Sequence, residues 1–361
     1  MTPRLSVLDT TPVGPGVSHR QALAWTAQVA EEADALGCHR FWVAEHHAIG
    51  NGCGVPAVLI AHLATITTRV RLGAGGVMLP NRTPLIVAEE FLALEALDPG
   101  RIDLGVGRGT GADVELLPLL RRNAADDAAY ARSIDQLVGL LQGAEPPSRA
   151  AASPGTPPTS ARPALHLLGA SVSSALLAAA RGLPLALAHH QAPAITADAV
   201  RAYRDAFIPH RPGAAPYVMA SVRAVGRETD DEAEVAATYA AAVTARRSAA
   251  VAHGLAIYPD VLGDTNLDDV ERGIARDMLA QGEVLVGGPA RIDAALRDLV
   301  ARLGVDEVMI EPFGHEGPGR AATVRAAIRG RVSVHRPPAD STPRRDPHVR
   351  LDHVTGRVHT T

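Results

Sequence analysis

The chain contains no lysine, so all 35 of its basic residues are arginines. Schiff-base catalysis, a Walker-A phosphate loop and a kinase-type catalytic site each need a lysine, and the sequence therefore excludes them. Cysteine is nearly absent as well. Cys38 and Cys53 are too few for a disulfide framework in 361 residues, and they form no CxxC or metal-spaced cluster. We predict that both are free thiols.

An excess of positive charge and long apolar runs are also missing. The net charge is −4 and the pI is about 6.4, which argues against nucleic acid or an anionic membrane surface as a partner. No stretch reaches the roughly 18 apolar residues of a membrane-spanning helix, and residues 1–9 lack the basic and apolar regions of a signal peptide. The sequence predicts a cytoplasmic protein that binds neither nucleic acid nor a membrane.

The rest of the chain alternates between two patterns. Short β-branched or Leu-rich runs are followed by longer Ala-rich amphipathic stretches, which is typical of a parallel sheet with crossover helices. Eight strands are predicted, at residues 4–8, 40–44, 70–74, 102–106, 164–168, 185–188, 218–225 and 307–310. Eight helices are predicted, at residues 19–36, 55–67, 84–97, 126–141, 172–181, 197–207, 230–251 and 290–303. These units predict an α/β fold, a closed (β/α)8 TIM barrel.

Two segments depart from this alternation. Residues 143–163 are rich in Pro, Ser and Ala, and we predict an irregular insertion there within a barrel domain of residues 1–330. Residues 331–361 mix Arg, Pro and His without apolar periodicity, which predicts a flexible tail. Metal or polyanion binding is the alternative interpretation of the tail's arginines and histidines.

Polar residues that follow the predicted strands are candidates for an active site, because the catalytic residues of such barrels lie at the C-terminal strand ends. Gly169, Ser171 and Ser174 stand where the fifth strand leads into a helix, so N–H groups, hydroxyls and the helix dipole favour an anion there. Arg108 follows the fourth strand between two glycines and can reach the same anion. We interpret these residues as a phosphate pocket. An ordinary N-cap serine and a surface ion pair are the alternatives.

Residues 107–112 also satisfy G-x-G-x-x-A after a strand, the fingerprint of dinucleotide binding. The following stretch contains Pro118 and residues 121–123 (RRN) rather than a clean helix. No second strand that ends in an acid follows about 20 residues on. We therefore favour the phosphate pocket over the dinucleotide site.

Two further strand ends carry candidate residues. Gly75 and Gly76 end the third strand, where paired glycines allow either a tight bulge or the close approach of a flat ring to the main chain. His46 and His47 end the second strand, and one of them is expected to enter the site as an acid or base, because neighbours in extended chain point to opposite faces. The spacing of Glu45, His46 and His47 matches no HExxH or H-x-H pattern, so no metal site is predicted.

Four ordered motifs resemble the bacterial luciferase-like, flavin-dependent monooxygenases. They are FWVAEHH at residues 41–47, GGVMLPN at 75–81, PGRIDLGVGR at 99–108 and GLP at 182–184. The similarity extends over about residues 5–330. It implies a barrel that uses reduced FMN and O2 to oxygenate an organic substrate, with the protein positioning the reactants and excluding water.

The resemblance also implies roles for individual residues. His46 matches the family's catalytic histidine, and Glu45 is grouped with it as catalytic. Arg108 matches the phosphate-binding arginine, and the Gly75-Gly76 pair matches one that adopts a cis peptide beneath the ring. The predicted cofactor-binding residues are Gly75, Gly76, Val77, Met78, Asn81, Arg108, Gly169, Ala170, Ser171, Ser174 and His190.

The sequence departs from this family at one position and leaves several properties open. Gly107 stands where true luciferases have a reactive cysteine, so thiol-linked behaviour is not expected. The segment that closes the luciferase site is not evident in the sequence, and neither is a reductase module. We therefore expect a separate NAD(P)H:flavin reductase as a partner, and the family implies a homodimer. Hydride transfer with deazaflavin F420 and a non-catalytic flavin-binding role are the alternatives.

Overall fold

The computed structural model describes residues 4–14, 16–47, 50–112, 116–120, 127–143, 162–210, 213–252, 269–280 and 284–333. The strands are β1 (Arg4–Asp9), β2 (Arg40–Val43), β3 (Arg71–Met78), β4 (Ile102–Gly107), β5 (Ala164–Gly169), β6 (Leu185–Leu187), β7 (Val218–Gly226), β8 (Val284–Gly287) and β9 (Glu307–Pro312). The α-helices are α1 (His19–Ala35), α2 (Pro56–Ile66), α3 (Pro84–Leu97), α4 (Asp127–Gln142), α5 (Val172–Ala180), α6 (Pro193–Asp205), α7 (Asp230–Ala252), α8 (Asp269–Ala280), α9 (Pro289–Leu303) and α10 (Gly317–Ser333). A 3₁₀ turn lies at Leu79–Asn81.

Eight of the strands close into a parallel barrel in the order β1, β2, β3, β4, β5, β6, β7, β9, and β9 pairs with β1. These are the eight strands that the sequence predicts, and the TIM-barrel prediction is confirmed. The ninth strand, β8, lies outside the barrel order, since it pairs with residues 223–226 of β7. In the described part of the chain no helix is both long and apolar enough to span a bilayer.

The sequence did not indicate β8, α8 or α10. The last of these packs against α1 and covers the barrel after its final strand. It extends through Ser333, so the first three residues of the predicted tail, 331–333, belong to this helix. Of the predicted insertion, residues 144–161 lie outside the described residues, as do residues 334–361 of the predicted tail.

Hydrophobic residues occupy both surfaces of the barrel wall. The larger core lies between the strands and the helices, where residues such as Phe41, Leu72, Ile102 and Val308 are fully buried. A smaller cluster is formed by Leu8, Trp42, Ala44, Ala186, Met219 and Met309. Because side chains alternate along a strand, the two sets come from alternate positions, such as Phe41 and Trp42 on β2.

Charged residues form a buried ionic layer, Arg40, Asp103 and Glu307, near the N-terminal ends of β2, β4 and β9. Nη1 of Arg40 lies 2.6 Å from Oδ2 of Asp103, and its Nε lies 3.1 Å from Oε1 of Glu307. Burial by itself would raise the pKa of Asp103, yet the charges of Arg40 and Arg71 hold it below its usual value. The layer lies at the end of the barrel away from the predicted site, which follows the C-terminal strand ends.

His166 on β5 lies beside this layer and gives the fold a predicted acid sensitivity. Burial lowers the pKa of His166 to about 4. In the unfolded chain this histidine takes up a proton near pH 6.5, whereas in the folded chain it does so only near pH 4. The contribution of neutral His166 to the free energy of unfolding is therefore fully present above about pH 6.5 and is lost as the pH falls toward 4. Between pH 7 and pH 5 the loss is ~2 kcal/mol of the free energy of unfolding. We expect His166→Gln to reduce this loss in urea unfolding at both pH values. His62→Gln, at an exposed histidine, serves as the control, and an unchanged pH dependence in His166→Gln contradicts the prediction.

Candidate active site

A cavity of about 770 Å³ lies at the C-terminal ends of the barrel strands. This volume falls within the roughly 300–1,000 Å³ typical of small-molecule sites. Nine of the residues predicted for the site line it: His46, Gly75, Met78, Arg108, Gly169, Ala170, Ser171, Ser174 and His190. They come from five different strand ends, which meet at one face because the strands are parallel.

The other four predicted residues do not line the cavity but support it. The Glu45 carboxylate is buried, accepts a hydrogen bond from Nε2 of His47 at 3.0 Å, and accepts another from the Met78 N–H at 3.3 Å. Burial raises the pKa of Glu45. Asn81 donates from Nδ2 to the Thr110 carbonyl at 2.7 Å. These bonds join the ends of β2 and β3 to the loop after β4. Val77 is fully buried, and the Gly76 carbonyl accepts the N–H of Glu45 at 3.2 Å.

His46 is positioned by Asn51, a residue that the sequence did not indicate. Nδ2 of Asn51 lies 3.3 Å from Nδ1 of His46 and donates to the Thr10 carbonyl at 3.0 Å. An amide nitrogen only donates, so Nδ1 of His46 accepts, and the proton of the neutral imidazole is on Nε2. Asn51 lies in a loop outside any periodic pattern, so no sequence signal connects it to the histidine.

The two parts of the predicted phosphate pocket line the same cavity. Ser171 caps α5 in a capping box with Ser174: Oγ of Ser171 accepts the Ser174 N–H, and Oγ of Ser174 accepts the Ser171 N–H, each at 3.2 Å. The next N–H groups, of Val172 and Ser173, belong to the first turn, where a helix offers donors without intrahelical acceptors. Arg108 is about half exposed and forms an ion pair with Asp127 at the start of α4. The sequence missed Asp127, whose charge opposes an anion at this place.

The backbone beneath the cavity is tightly packed at Gly75 and Gly76. Their peptide bond is cis, as the resemblance implies. A Cβ atom on Gly75 would lie 2.8 Å from Cδ1 of Leu8, and one on Gly76 would lie 2.8 Å from the Gly105 carbonyl oxygen. Any larger residue would therefore displace a strand or the barrel interior.

Comparison with known proteins identifies the family. The chain matches the luciferase-like monooxygenase family over residues 3–307. A luciferase-like monooxygenase of Escherichia coli (strain K12) is 35% identical over 317 residues, which cover 86% of this chain and 92% of that protein. The chain belongs to the luciferase-like monooxygenase family. It is accordingly an oxidoreductase that acts with molecular oxygen on an organic substrate.

Two solved structures have the same fold as this chain. The crystal structure of apo-MsnO8 is 33% identical, with a TM-score of 0.79 over 91% of this chain and 98% of that chain. The oxygenating constituent of 3,6-diketocamphane monooxygenase from Pseudomonas putida, in complex with FMN, is 19% identical. Its TM-score is 0.67, over 90% of this chain and 97% of that chain.

The sulfur chemistry of this luciferase-like monooxygenase agrees with the sequence prediction. Cys38 and Cys53 are buried and not joined in a disulfide, and burial raises the pKa of Cys53 to about 12. Gly107 leaves a gap in the cavity wall, since a Cβ there would meet its nearest atom, Sδ of Met78, at 3.6 Å. Packing therefore permits a side chain at Gly107, and its absence widens the cavity beside Arg108.

Proposed function

We propose that the protein is the oxygenase component of a two-component, FMN-dependent monooxygenase. It takes reduced FMN from a separate NAD(P)H:flavin reductase and oxygenates an organic substrate, as a cytoplasmic homodimer. The observation that carries this proposal is the joint arrangement of Arg108 and the serine-rich start of α5 in the cavity that His46 also lines.

The residues of the cavity fit a flavin phosphate. Arg108 offers a guanidinium to the phosphate, and Ser171, with the first N–H groups of α5, offers uncharged donors beside it. The family relationship and the FMN complex of a protein with the same fold support FMN over other phosphates. Gly75 and Met78, which line the same cavity, would hold the isoalloxazine ring.

The protein's own residues would position the reactants and control protons. Bound reduced FMN would supply two electrons to O2, so that one oxygen atom enters the substrate and the other leaves as water. His46, with its proton on Nε2, offers a hydrogen-bond donor and a titratable group within the cavity. Leu8, Trp42 and Met309 form an apolar wall that limits water near the reacting atoms.

The binding of FMN to two charge variants tests this proposal. Arg108→Met removes a charge-assisted contact worth ~1.5–3 kcal/mol, so we expect the Kd of FMN to rise about 10- to 100-fold. Asp127→Asn removes a competing negative charge, so we expect the Kd to fall about 2- to 5-fold. Calorimetry with oxidised FMN measures both changes. Arg132→Met, at an exposed arginine of α4, is the matched control and leaves the Kd unchanged.

Three outcomes would overturn the proposal. In the first, the wild-type protein binds no FMN, or Arg108→Met leaves the Kd of FMN unchanged. In the second, the protein reduces deazaflavin F420 anaerobically with an alcohol or similar donor and consumes no oxygen with reduced FMN. The second result would assign hydride transfer to this cavity. Normal FMN binding without turnover in any assay would instead favour a flavin-binding protein.

A further inference from the structure

A second histidine faces the cavity from the wall opposite His46. His190 follows β6, and in the closed barrel order β6 lies four strands away from β2, which carries His46. Nδ1 of His190 lies 2.8 Å from Oγ of Ser221 on β7, and Nε2 lies 3.4 Å from Oε2 of Glu311 on β9. All three residues are buried, and His190 and Ser221 line the cavity.

The barrel brings these residues together where β7 changes its neighbour. Residues 218–220 of β7 pair with β6, and residues 223–226 pair with β8. Between these two ladders the His190 N–H donates to the Ser221 carbonyl at 3.0 Å. The imidazole is thus fixed by a backbone bond as well as by its two side-chain contacts, so its position depends on the barrel wall and not on a loose loop.

The contacts of His190 accommodate two protonation states with the same heavy-atom positions. In the neutral state, Ser221 donates its hydroxyl proton to Nδ1, and Nε2–H faces Glu311. In the protonated state, Nδ1–H donates to Oγ of Ser221, and the Ser221 hydroxyl turns to the Leu187 carbonyl, 3.3 Å away. The states differ by one proton and one hydroxyl rotation. The group can therefore take up or release a proton without moving.

The charged groups around His190 favour proton uptake and release by its imidazole. Glu311 favours the protonated imidazole, and its Oε2 also accepts from Nε of Arg223 at 3.3 Å, which offsets part of its charge. Arg223 is itself held over the Phe313 ring, 5.5 Å from its centroid. His189, the adjacent histidine, differs: its Nδ1 contacts Oγ1 of Thr196 at 2.9 Å, burial lowers its pKa, and it does not line the cavity.

We propose that His190 is a second acid–base residue of the cavity, anchored by Glu311 and linked by Ser221 to whatever occupies the cavity. Its role in turnover rests on the proposed function. Oxygenation of a substrate S follows the balance S + O2 + 2e⁻ + 2H⁺ → SO + H2O, so protons must reach a cavity from which water is limited. His190 supplies a proton from the wall that His46 does not reach.

Turnover by matched histidine variants tests the role. His190→Asn keeps an amide near Nδ1 for Ser221 but does not titrate. We expect kcat to fall about 100-fold, with the Kd of FMN within about threefold, and one limb of the kcat–pH profile to disappear. Ser221→Ala lowers kcat in the same direction with the imidazole in place. His189→Asn, the same substitution at the neighbouring buried histidine, leaves kcat and its pH profile unchanged.

Nuclear magnetic resonance of the flavin-free protein gives a readout that does not depend on the reaction. With ring-labelled histidines, the His190 signal is identified by its loss in His190→Asn. We expect it to titrate between about pH 5 and pH 9, and Glu311→Gln to move that titration to lower pH, because a favourable negative charge is lost.

The outcomes separate the two proposals. A His190 ring that keeps one protonation state over this range overturns the acid–base role, as does a His190→Asn variant with wild-type kcat. If His190→Asn weakens FMN binding by the same factor as it lowers kcat, His190 is a cofactor contact instead. If wild type consumes no oxygen with reduced FMN while His190 titrates and responds to Glu311→Gln, the proposed function fails and the proton-carrying cluster stands.

Discussion

Replacing His46 by glutamine lowers kcat by about 100- to 10,000-fold, and the Kd of FMN stays within about threefold. The glutamine amide lies near the position of Nε2 and still donates a hydrogen bond, but it neither gives up nor accepts a proton in the accessible pH range. The expected loss is the usual contribution of general acid–base catalysis. Steady-state oxygen consumption with reduced FMN measures kcat, and fluorescence quenching measures the Kd.

Asn51→Asp refines this result, because it is nearly isosteric and reverses one hydrogen bond. A carboxylate oxygen cannot donate to Nδ1 of His46, so Nδ1 must carry the proton and the tautomer changes. The negative charge also favours the imidazolium, so the corresponding limb of the kcat–pH profile moves to higher pH. A wild-type kcat in His46→Gln would remove His46 from proton transfer. An unchanged profile in Asn51→Asp would mean that Asn51 does not set its tautomer.

Replacing Arg40 by methionine lowers the free energy of unfolding by about 3–5 kcal/mol. Arg40 is the cation between Asp103 and Glu307, and all three side chains are buried. Removing one partner of a buried ion pair leaves uncompensated charge in a medium that cannot solvate it. Arg71, 2.6 Å from Oδ1 of Asp103, retains part of the compensation for that carboxylate, so most of the penalty falls on Glu307. Urea unfolding at pH 7 measures the change.

A second substitution identifies the cause of this loss. Arg40→Met combined with Glu307→Gln removes the uncompensated carboxylate and regains part of the stability, whereas a purely steric effect of methionine would persist in the double variant. Arg132→Met changes the free energy of unfolding by no more than about 0.5 kcal/mol, as is usual for an exposed residue. Equal losses in the single and double variants would show that charge is not responsible.

The barrel could be predicted because its strands carry a strong local signal. Residues 102–107 are entirely buried, and short runs of this kind, rich in Leu, Ile and Val, between Ala-rich amphipathic stretches indicate a parallel sheet from the sequence pattern. The four-residue strand β8 gives no comparable signal, because it is short and its pairing with β7 depends on where β6 ends. In α10, Gly317, Pro318 and Gly319 at the first turn obscured the helix, which forms through packing against α1.

The site was predictable to the extent that strand ends meet at one face. That rule alone places Arg108, Ser171 and His190 in one cavity. It does not say which side chains turn inward, and Glu45 and Asn81 hold the surrounding loops instead of lining the cavity. Contacts such as Asn51 to His46 and Glu311 to His190 join residues on separate loops and strands through single rotamers. No periodicity or spacing in one sequence specifies such contacts.

The distribution of sulfur in the protein bears on its durability during turnover. Its thiols are buried, and the raised pKa of Cys53 leaves almost no thiolate there to attack peroxide. Three thioethers, of Met78, Met219 and Met309, instead line the cavity. Hydrogen peroxide released by unproductive turnover would meet these methionines first and convert them to sulfoxides, a lesion that cellular reductases repair. Oxidative damage to this enzyme would thus begin as a reversible change in the shape of its substrate cavity.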